Sequence, residues 1–128
     1  MGLINGLVIP ANLDEDMYLR TFVTKFNDDS EHNEIAFRAL RHVIGCQTIE
    51  VLPVQEQCLL KRSFRDYSAF GDEEGRFGKY VVNHRATMII GFPYDLVGTI
   101  VVIRYKPDQG DSSMYRHELT HLQEQGLN

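Results

Sequence analysis

A histidine–glutamate motif in the last part of the chain has the spacing of a zinc-binding hydrolase site. The residues His117-Glu118-Leu119-Thr120-His121 form a literal His-Glu-x-x-His. On a helix, His117 and His121 lie one turn apart and can bind one Zn²⁺, while Glu118 can act as the base for a metal-bound water. A third ligand would have to come from earlier in the chain, and the candidates are His84, His42 and His32. Zinc-dependent hydrolysis is therefore one alternative, beside structural or adventitious metal binding and a plain polar helix face.

The segment Asn83-His84-Arg85-Ala86-Thr87 has residue types that can bind an anion. If Asn83 caps a helix, the free N–H groups of the first turn attract negative charge, and Arg85 adds a planar fork for phosphate or carboxylate. The ligand-binding residues predicted here are Asn83, His84, Arg85 and Thr87. The simpler alternative is that Asn83 only caps the helix, Ala86 packs in the core and Arg85 forms a surface ion pair.

Three further patterns carry less chemical information. The run Lys61–Tyr67 interleaves basic and aromatic side chains, which can stack on nucleic-acid bases. The glycine-rich segment 71–78 does not match a phosphate-binding loop, because the residue after Lys79 is neither Ser nor Thr. Cys46 and Cys58 form no Cys-x-x-Cys pair, and we predict structural thiols in a reducing cytosol.

The composition is that of one globular domain and excludes several functional classes. The chain has 128 residues, 43% of them hydrophobic and 24% charged, which is sufficient for a buried core. Its net charge of -5 and pI near 5.5 argue against a protein that binds nucleic acid through phosphate contacts. The sequence has no long apolar run and residues 1–10 lack the basic start of a signal peptide. We therefore expect a cytoplasmic protein with no membrane partner and no cofactor, zinc being the alternative.

The elements that must position these residues begin with a strand and two helices. Residues 3–9 form an apolar run that is typical of a short buried strand. A capping-box pattern and apolar steps of three and four predict a helix over 14–27. The residues of its apolar stripe are Leu19, Phe22, Val23 and Phe26. A second helix is expected from a cap at Ser30 to a C-terminal glycine at Gly45.

After Gly45 the apolar period changes to two, which predicts strands. The predicted strands are one that begins at Ile49 and ends near Pro53 and three over 58–60, 80–82 and 97–105, with a loop over 66–79. Two helices are also predicted: a short one near 84–91 that Asn83 caps, and a C-terminal one that Ser112 caps. The β-branched run 97–105 predicts a strand that is buried on both faces.

The predicted fold is a single α+β domain over residues 1–128. We expect a small mixed β-sheet packed by the two N-terminal helices, with the short helix near 84–91 and a C-terminal helical extension over 108–128.

Several blocks between Phe37 and Ile103 follow one another in a recognisable order. They are Ala39–Gly45, Ile49–Val51, Asp72–Arg76, Val82–Thr87 and Gly98–Val102. In type and order they resemble the helix and glycine, the IEV strand, the DEEG and N-x-R-A-T centre and the closing GTVVV strand of the DUF3846 family. The resemblance covers residues 37–103, and its most specific block is Asn83–Thr87. The segment 60–70 is longer and more basic than in that family, and residues 107–128 have no clear counterpart.

The resemblance implies a biological context and no catalytic residues. The DUF3846 family comprises small proteins of bacteriophages, plasmids and other mobile elements, with no established enzymatic activity. Such accessory proteins often bind a host protein or sequester a small anionic ligand, such as a nucleotide signal used in defence. We therefore predict a non-enzymatic, defence-countering accessory protein that binds a host component in the bacterial cytoplasm. A homo-oligomer is compatible with this prediction. The alternatives are sequestration of a nucleotide-like anion and zinc-dependent hydrolysis.

Overall fold

The computed structural model describes residues 2–75 and 81–128, which form seven strands, three α-helices and one 3₁₀ turn. The strands are β1 (Gly2–Ile9), β2 (Tyr18–Asn27), β3 (His32–Ile35), β4 (Ile49–Leu52), β5 (Tyr67–Asp72), β6 (Ile100–Lys106) and β7 (Gly110–Ser112). The helices are α1 (Phe37–Ile44), α2 (His84–Ile90) and α3 (Arg116–Glu124), and the 3₁₀ turn is Phe64–Asp66.

The seven strands form one mixed sheet in the order β1-β2-β3-β7-β6-β5-β4, with an additional pairing between β1 and β6. Because of that pairing, five strands close into a circuit, and β5 and β4 extend from the other edge of β6. Strand β6 is central: residues 100–102 pair with β1, residues 104–106 pair with β7, and the opposite edge pairs with β5. The pairing of β3 with β7 is parallel, and the ladders of β6 are antiparallel.

Helices cover both faces of this sheet. Ile100 and Val102 pack on one face with buried residues of α2 and α3, whereas Val101 and Ile103 pack on the other face with buried residues of α1. The alternation follows from the two-residue period of a strand. Burial of β6 on both faces confirms the prediction for the run 97–105, with the strand beginning at Ile100.

The predicted helix over 14–27 is wrong, because this segment contains β2. Its apolar steps of three and four fit a helix, but its aromatic and β-branched residues also favour a strand, and seven residue pairs with β1 stabilise the extended form. Burial alternates along β2: Phe22 and Thr24 are each 1% exposed, whereas Val23 is 42% exposed. Phe26, which the helix would have placed in the core, is 53% exposed.

The second predicted N-terminal helix begins later than expected. Residues 32–35 pair with β2 as β3, so α1 begins at Phe37 instead of following Ser30. Its end at Gly45 is confirmed, because this glycine has the left-handed conformation with φ 77°. The prediction of a sheet packed by two N-terminal helices is therefore wrong. The fold is mostly sheet, and of the two predicted helices only the second is present, shortened to α1.

Other predicted elements divide into confirmed and wrong ones. The strand over 3–9 and the cap at Asn83 are confirmed, as is the strand that begins at Ile49. Residues 58–60 form no strand, and β5 occupies the start of the loop predicted over 66–79. Ser112 belongs to β7, and Tyr115 instead precedes α3.

Residues 76–80 lie outside the described residues. They include the end of the loop predicted over 66–79, the start of the strand predicted over 80–82 and Arg76 of the DUF3846-like block. Within 2–75 and 81–128, no helix is long and apolar enough to cross a membrane.

Candidate functional site

The glutamate of the His-Glu-x-x-His motif lies inside the protein. Helix α3 packs on the sheet through Leu119 and Leu122, and Glu118 lies four residues before Leu122, on the same side of the helix. Glu118 is 1% exposed. The Tyr67 hydroxyl donates to its Oε2 atom at 2.8 Å, and the Tyr115 N–H donates to its Oε1 atom at 3.3 Å. Interior donors therefore satisfy this carboxylate.

Arg104 supplies the positive charge that faces Glu118. Arg104 on β6 is directly paired with Tyr67 on β5, so both side chains reach the same place beneath α3. The Arg104 Nε atom lies 3.8 Å from Glu118 Oε1, and the guanidinium carbon lies 5.2 Å from the centre of the Tyr115 ring. An ion pair and a cation–π contact thus hold the start of α3 on the sheet. We call Tyr67, Arg104, Tyr115 and Glu118 the buried network.

The Tyr67 phenol stays protonated and acts as a hydrogen-bond donor within the buried network. Burial raises the pKa of Tyr67 far above its usual value, and the hydrogen bond to Glu118 and the charge of that carboxylate raise it further. The Arg62 N–H, which donates to Tyr67 Oη at 3.1 Å, acts in the opposite direction, as does the charge of Arg104. The phenol is therefore protonated at neutral pH and donates to Glu118.

This arrangement separates Glu118 from the histidines of the motif. His117 is exposed and stacks on Tyr115, with 5.6 Å between the ring centres, and His121 is half-buried on the same outer surface. A base for a metal-bound water has to reach the metal from beside these imidazoles, but Glu118 points into the interior. Within residues 2–75 and 81–128, no three His, Cys, Asp or Glu side chains are grouped in a way that could hold a metal ion.

The two histidines instead line a cleft of about 620 Å³ along the outer side of α3, which we call the α3 cleft. Its lining residues are Lys61, Tyr115, Arg116, His117, Thr120, His121 and Glu124. Two of these side chains are cationic, two are imidazoles and one is acidic. The α3 cleft is therefore a positive region in a chain with a net charge of -5.

Residues from two motifs that are distant in the sequence line the α3 cleft. Lys61 belongs to the basic and aromatic run, and the other lining residues lie in or beside the His-Glu-x-x-His motif. Strand β5 begins at Tyr67, the last residue of that run, and the hydrogen bond from Tyr67 to Glu118 brings the run to α3. The Gln125 amide also donates to the Leu59 carbonyl at 3.2 Å. The sequence feature that could have indicated this contact between the run and α3 is Glu118, because it is a polar residue on the apolar side of the predicted helix.

The predicted anion site around Asn83 is occupied by hydrogen bonds within the chain. Asn83 is fully buried: its Oδ1 atom accepts from the Ala86 N–H at 3.0 Å, and its amide group donates to the carbonyls of Ile9 and Gly98, each at 2.8 Å. The Thr87 hydroxyl donates to the Asn83 carbonyl at 2.8 Å and accepts from the Leu96 N–H at 2.9 Å. These two side chains connect α2 to the neighbouring segments.

Arg85 lies among backbone carbonyls and is only 5% exposed. Its Nη2 atom donates to the carbonyl of Pro10 at 2.7 Å and to that of Asn12 at 3.0 Å, and its Nη1 atom donates to the carbonyl of Asn128. Burial lowers the pKa of Arg85, against the effect of nearby acidic residues. The planar fork that the sequence assigns to an anion therefore contacts main-chain oxygens of the protein itself, while His84 lies exposed beside it.

No protein-family model, curated protein or solved structure matches this chain. The DUF3846 resemblance therefore stays a prediction, and the function has to be argued from the site.

Proposed function

We propose that this protein is a non-enzymatic binding protein whose α3 cleft holds an anionic, nucleotide-like small molecule. The observation that carries the proposal is the charge of this surface. Lys61 and Arg116 stand beside two imidazoles with one carboxylate, Glu124, in a chain whose net charge is -5. Clefts lined by charge of one sign raise the local concentration of ligands of the opposite sign.

The buried network supports this proposal, because it neutralises the acid beneath the cleft. A free carboxylate at Glu118 would repel an anion above it, but Arg104 faces it at 3.8 Å and Tyr67 donates to it at 2.8 Å. The cationic side chains of the cleft are thus opposed mainly by Glu124 within the described lining.

Aromatic rings support the nucleotide-like part of the proposal. Tyr115 is 44% exposed, and its ring is nearly parallel to that of His117, with an interplanar angle of 12°. Exposed aromatic rings beside cationic side chains are the combination on which bases stack, independently of sequence. Sequestration of such a ligand is one of the activities implied by the resemblance to mobile-element accessory proteins, and we propose the bacterial cytoplasm as its place of action.

Isothermal titration calorimetry with adenosine monophosphate and adenosine tests the proposal. We expect the monophosphate to bind more tightly, and Arg116→Gln to weaken its binding about fivefold, the effect of about 1 kcal/mol for an exposed charge. Arg38→Gln is the matched control, because Arg38 is exposed on α1, across the sheet. Equal binding by Arg116→Gln and the wild type, or no binding of either compound, refutes the small-molecule proposal and favours a host protein as the partner.

A further inference from the structure

We propose that a groove on the α1 side of the sheet binds a small organic ammonium ion, with the Asp111 carboxylate as its counter-ion and aromatic rings around its apolar part. The groove has a volume of about 260 Å³, below the range of about 300–1,000 Å³ that is typical for drug-sized ligands, so its ligand is small. It lies across the sheet from the α3 cleft, and binding there is independent of the proposed function. We call it the α1 groove, and its lining includes His32, Glu34, Phe37, Phe70, Tyr105 and Asp111.

Strand pairing places the carboxylate and the rings on one face of the sheet. Asp111 on β7 is the direct partner of Tyr105 on β6, and the side chains of such a pair project from the same face. Tyr105 follows Ile103 by two residues, so it shares the face on which Ile103 and Phe70 pack with α1. Helix α1 begins only at Phe37, and the part of this face that lies beyond the start of the helix stays open as the α1 groove.

The Asp111 carboxylate is only partly satisfied within the chain. Its Oδ2 atom accepts from the Ile35 N–H at 2.7 Å, and no described residue donates a hydrogen bond to its Oδ1 atom. Within residues 2–75 and 81–128, no Lys, Arg or His forms an ion pair with it. Burial raises the pKa of Asp111 and the charge of Glu34 adds to this, whereas the Ile35 N–H and His32 act in the opposite direction. A cation beside Asp111 would stabilise this partly buried charge.

Two pairs of aromatic rings supply the apolar part of the site. His32 and Tyr105 lie edge to face with 6.3 Å between the ring centres, and Phe37 and Phe70 lie edge to face at 6.0 Å. Aromatic faces attract ammonium ions. The described lining contains two carboxylates and no Lys or Arg, so the α1 groove favours cations, the opposite preference to that of the α3 cleft. An ammonium group on a small aromatic body fits both features, because its N–H groups can donate to Asp111 while its body contacts the rings.

An NMR titration with 2-phenylethylammonium chloride tests this site through the amide signals of Gly110 and Asp111. We expect both signals to shift and to reach saturation. The uncharged compound 2-phenylethanol has the same aromatic body, and it should bind roughly fivefold more weakly because it cannot form the charge-assisted hydrogen bond. This comparison uses the wild-type protein alone.

Variants with matched controls separate the charge from the rings. Asp111→Asn keeps an oxygen for the Ile35 N–H and loses the charge, so its affinity for 2-phenylethylammonium should fall roughly fivefold. Asp108→Asn is the control, because Asp108 is exposed between β6 and β7 and is not among the described lining residues. Phe37→Leu keeps an apolar contact and loses the ring, so it should bind about threefold more weakly, whereas Phe26→Leu, exposed on β2, should bind like the wild type. The remaining amide signals report whether each variant is folded.

Four results refute the ammonium site. The first is equal binding of 2-phenylethanol and 2-phenylethylammonium, which would mean an apolar groove in which charge has no role. The second is a folded Asp111→Asn protein that binds like the wild type, and the third is a folded Phe37→Leu protein that does so. The fourth is the absence of saturable shifts at Gly110 and Asp111. If Asp111→Asn does not fold, the alcohol comparison and Phe37→Leu decide. None of these results affects the binding of adenosine monophosphate to the α3 cleft.

Discussion

Removing the Glu118 carboxylate is the sharpest test of the buried network. Glu118→Ala takes away the acceptor of the Tyr67 hydroxyl and of the Tyr115 N–H, and it removes the charge that faces Arg104. A buried donor without a partner costs about 1–3 kcal/mol, and removing one member of a buried ion pair costs roughly 3–5 kcal/mol. Because the Arg104 contact is 3.8 Å long and Tyr115 is partly exposed, we expect the lower end, about 3 kcal/mol.

Equilibrium unfolding in urea measures this loss, followed by circular dichroism because the chain has no tryptophan. Glu118→Gln keeps an acceptor at the same place, so it should cost about 1 kcal/mol. The double variant Arg104→Met with Glu118→Leu removes both charges but still leaves the buried Tyr67 hydroxyl without an acceptor, so it should cost about 1–2 kcal/mol, less than Glu118→Ala. A cost below about 1 kcal/mol for Glu118→Ala, or a double variant as unstable as the single one, refutes the network as we describe it.

Two further predictions concern stability. The raised pKa of Tyr67 means that the folded protein keeps the phenol proton above pH 10 while the unfolded chain loses it. The stability due to Tyr67 is therefore complete below pH 10 and declines above it, and urea unfolding of Tyr67→Phe should show a shallower decline between pH 9.5 and 11; identical slopes would contradict the buried phenol. Asn83→Ala should cost about 2–4 kcal/mol, because it removes the α2 cap and leaves two buried carbonyls without a donor. Asn83→Asp, which keeps the cap oxygen and loses the amide donor, should also be unstable, and a thermal melt of Asn83→Asp equal to that of the wild type would exclude the amide's role.

How far the fold could be predicted from the sequence depends on how local its signals are. The end of α1 at Gly45 and the cap at Asn83 depend on neighbouring residues, and both are confirmed. The choice between helix and strand for 14–27 is not local, because its apolar steps fit a helix and the deciding contacts are the pairs with β1. Propensity within the segment cannot supply that information.

The candidate site was only partly predictable for a related reason. The sequence places His117 and His121 on one side of a helix, and both do line the α3 cleft. It does not reveal that Glu118 faces Arg104, because that contact joins α3 to the middle of β6. Two local clues pointed that way: an arginine within a buried strand requires an acidic or polar partner, and Glu118 lies four residues before the buried Leu122. Neither clue identifies the partner.

The pairing of β1 with β6 has a consequence for how the protein is made. Leu7 pairs with Val102, and 102 − 7 gives a separation of 95 residues. At a synthesis rate of about 5–20 residues per second, β6 is synthesised roughly 5–20 seconds after β1. During that time the β1–β2 hairpin has an unpaired edge whose backbone can join other extended chains. Contacts between residues so distant in sequence also slow folding once the chain is complete. The closing of the sheet on β6 therefore leaves the edge of β1 unpaired until residues 100–102 have been made.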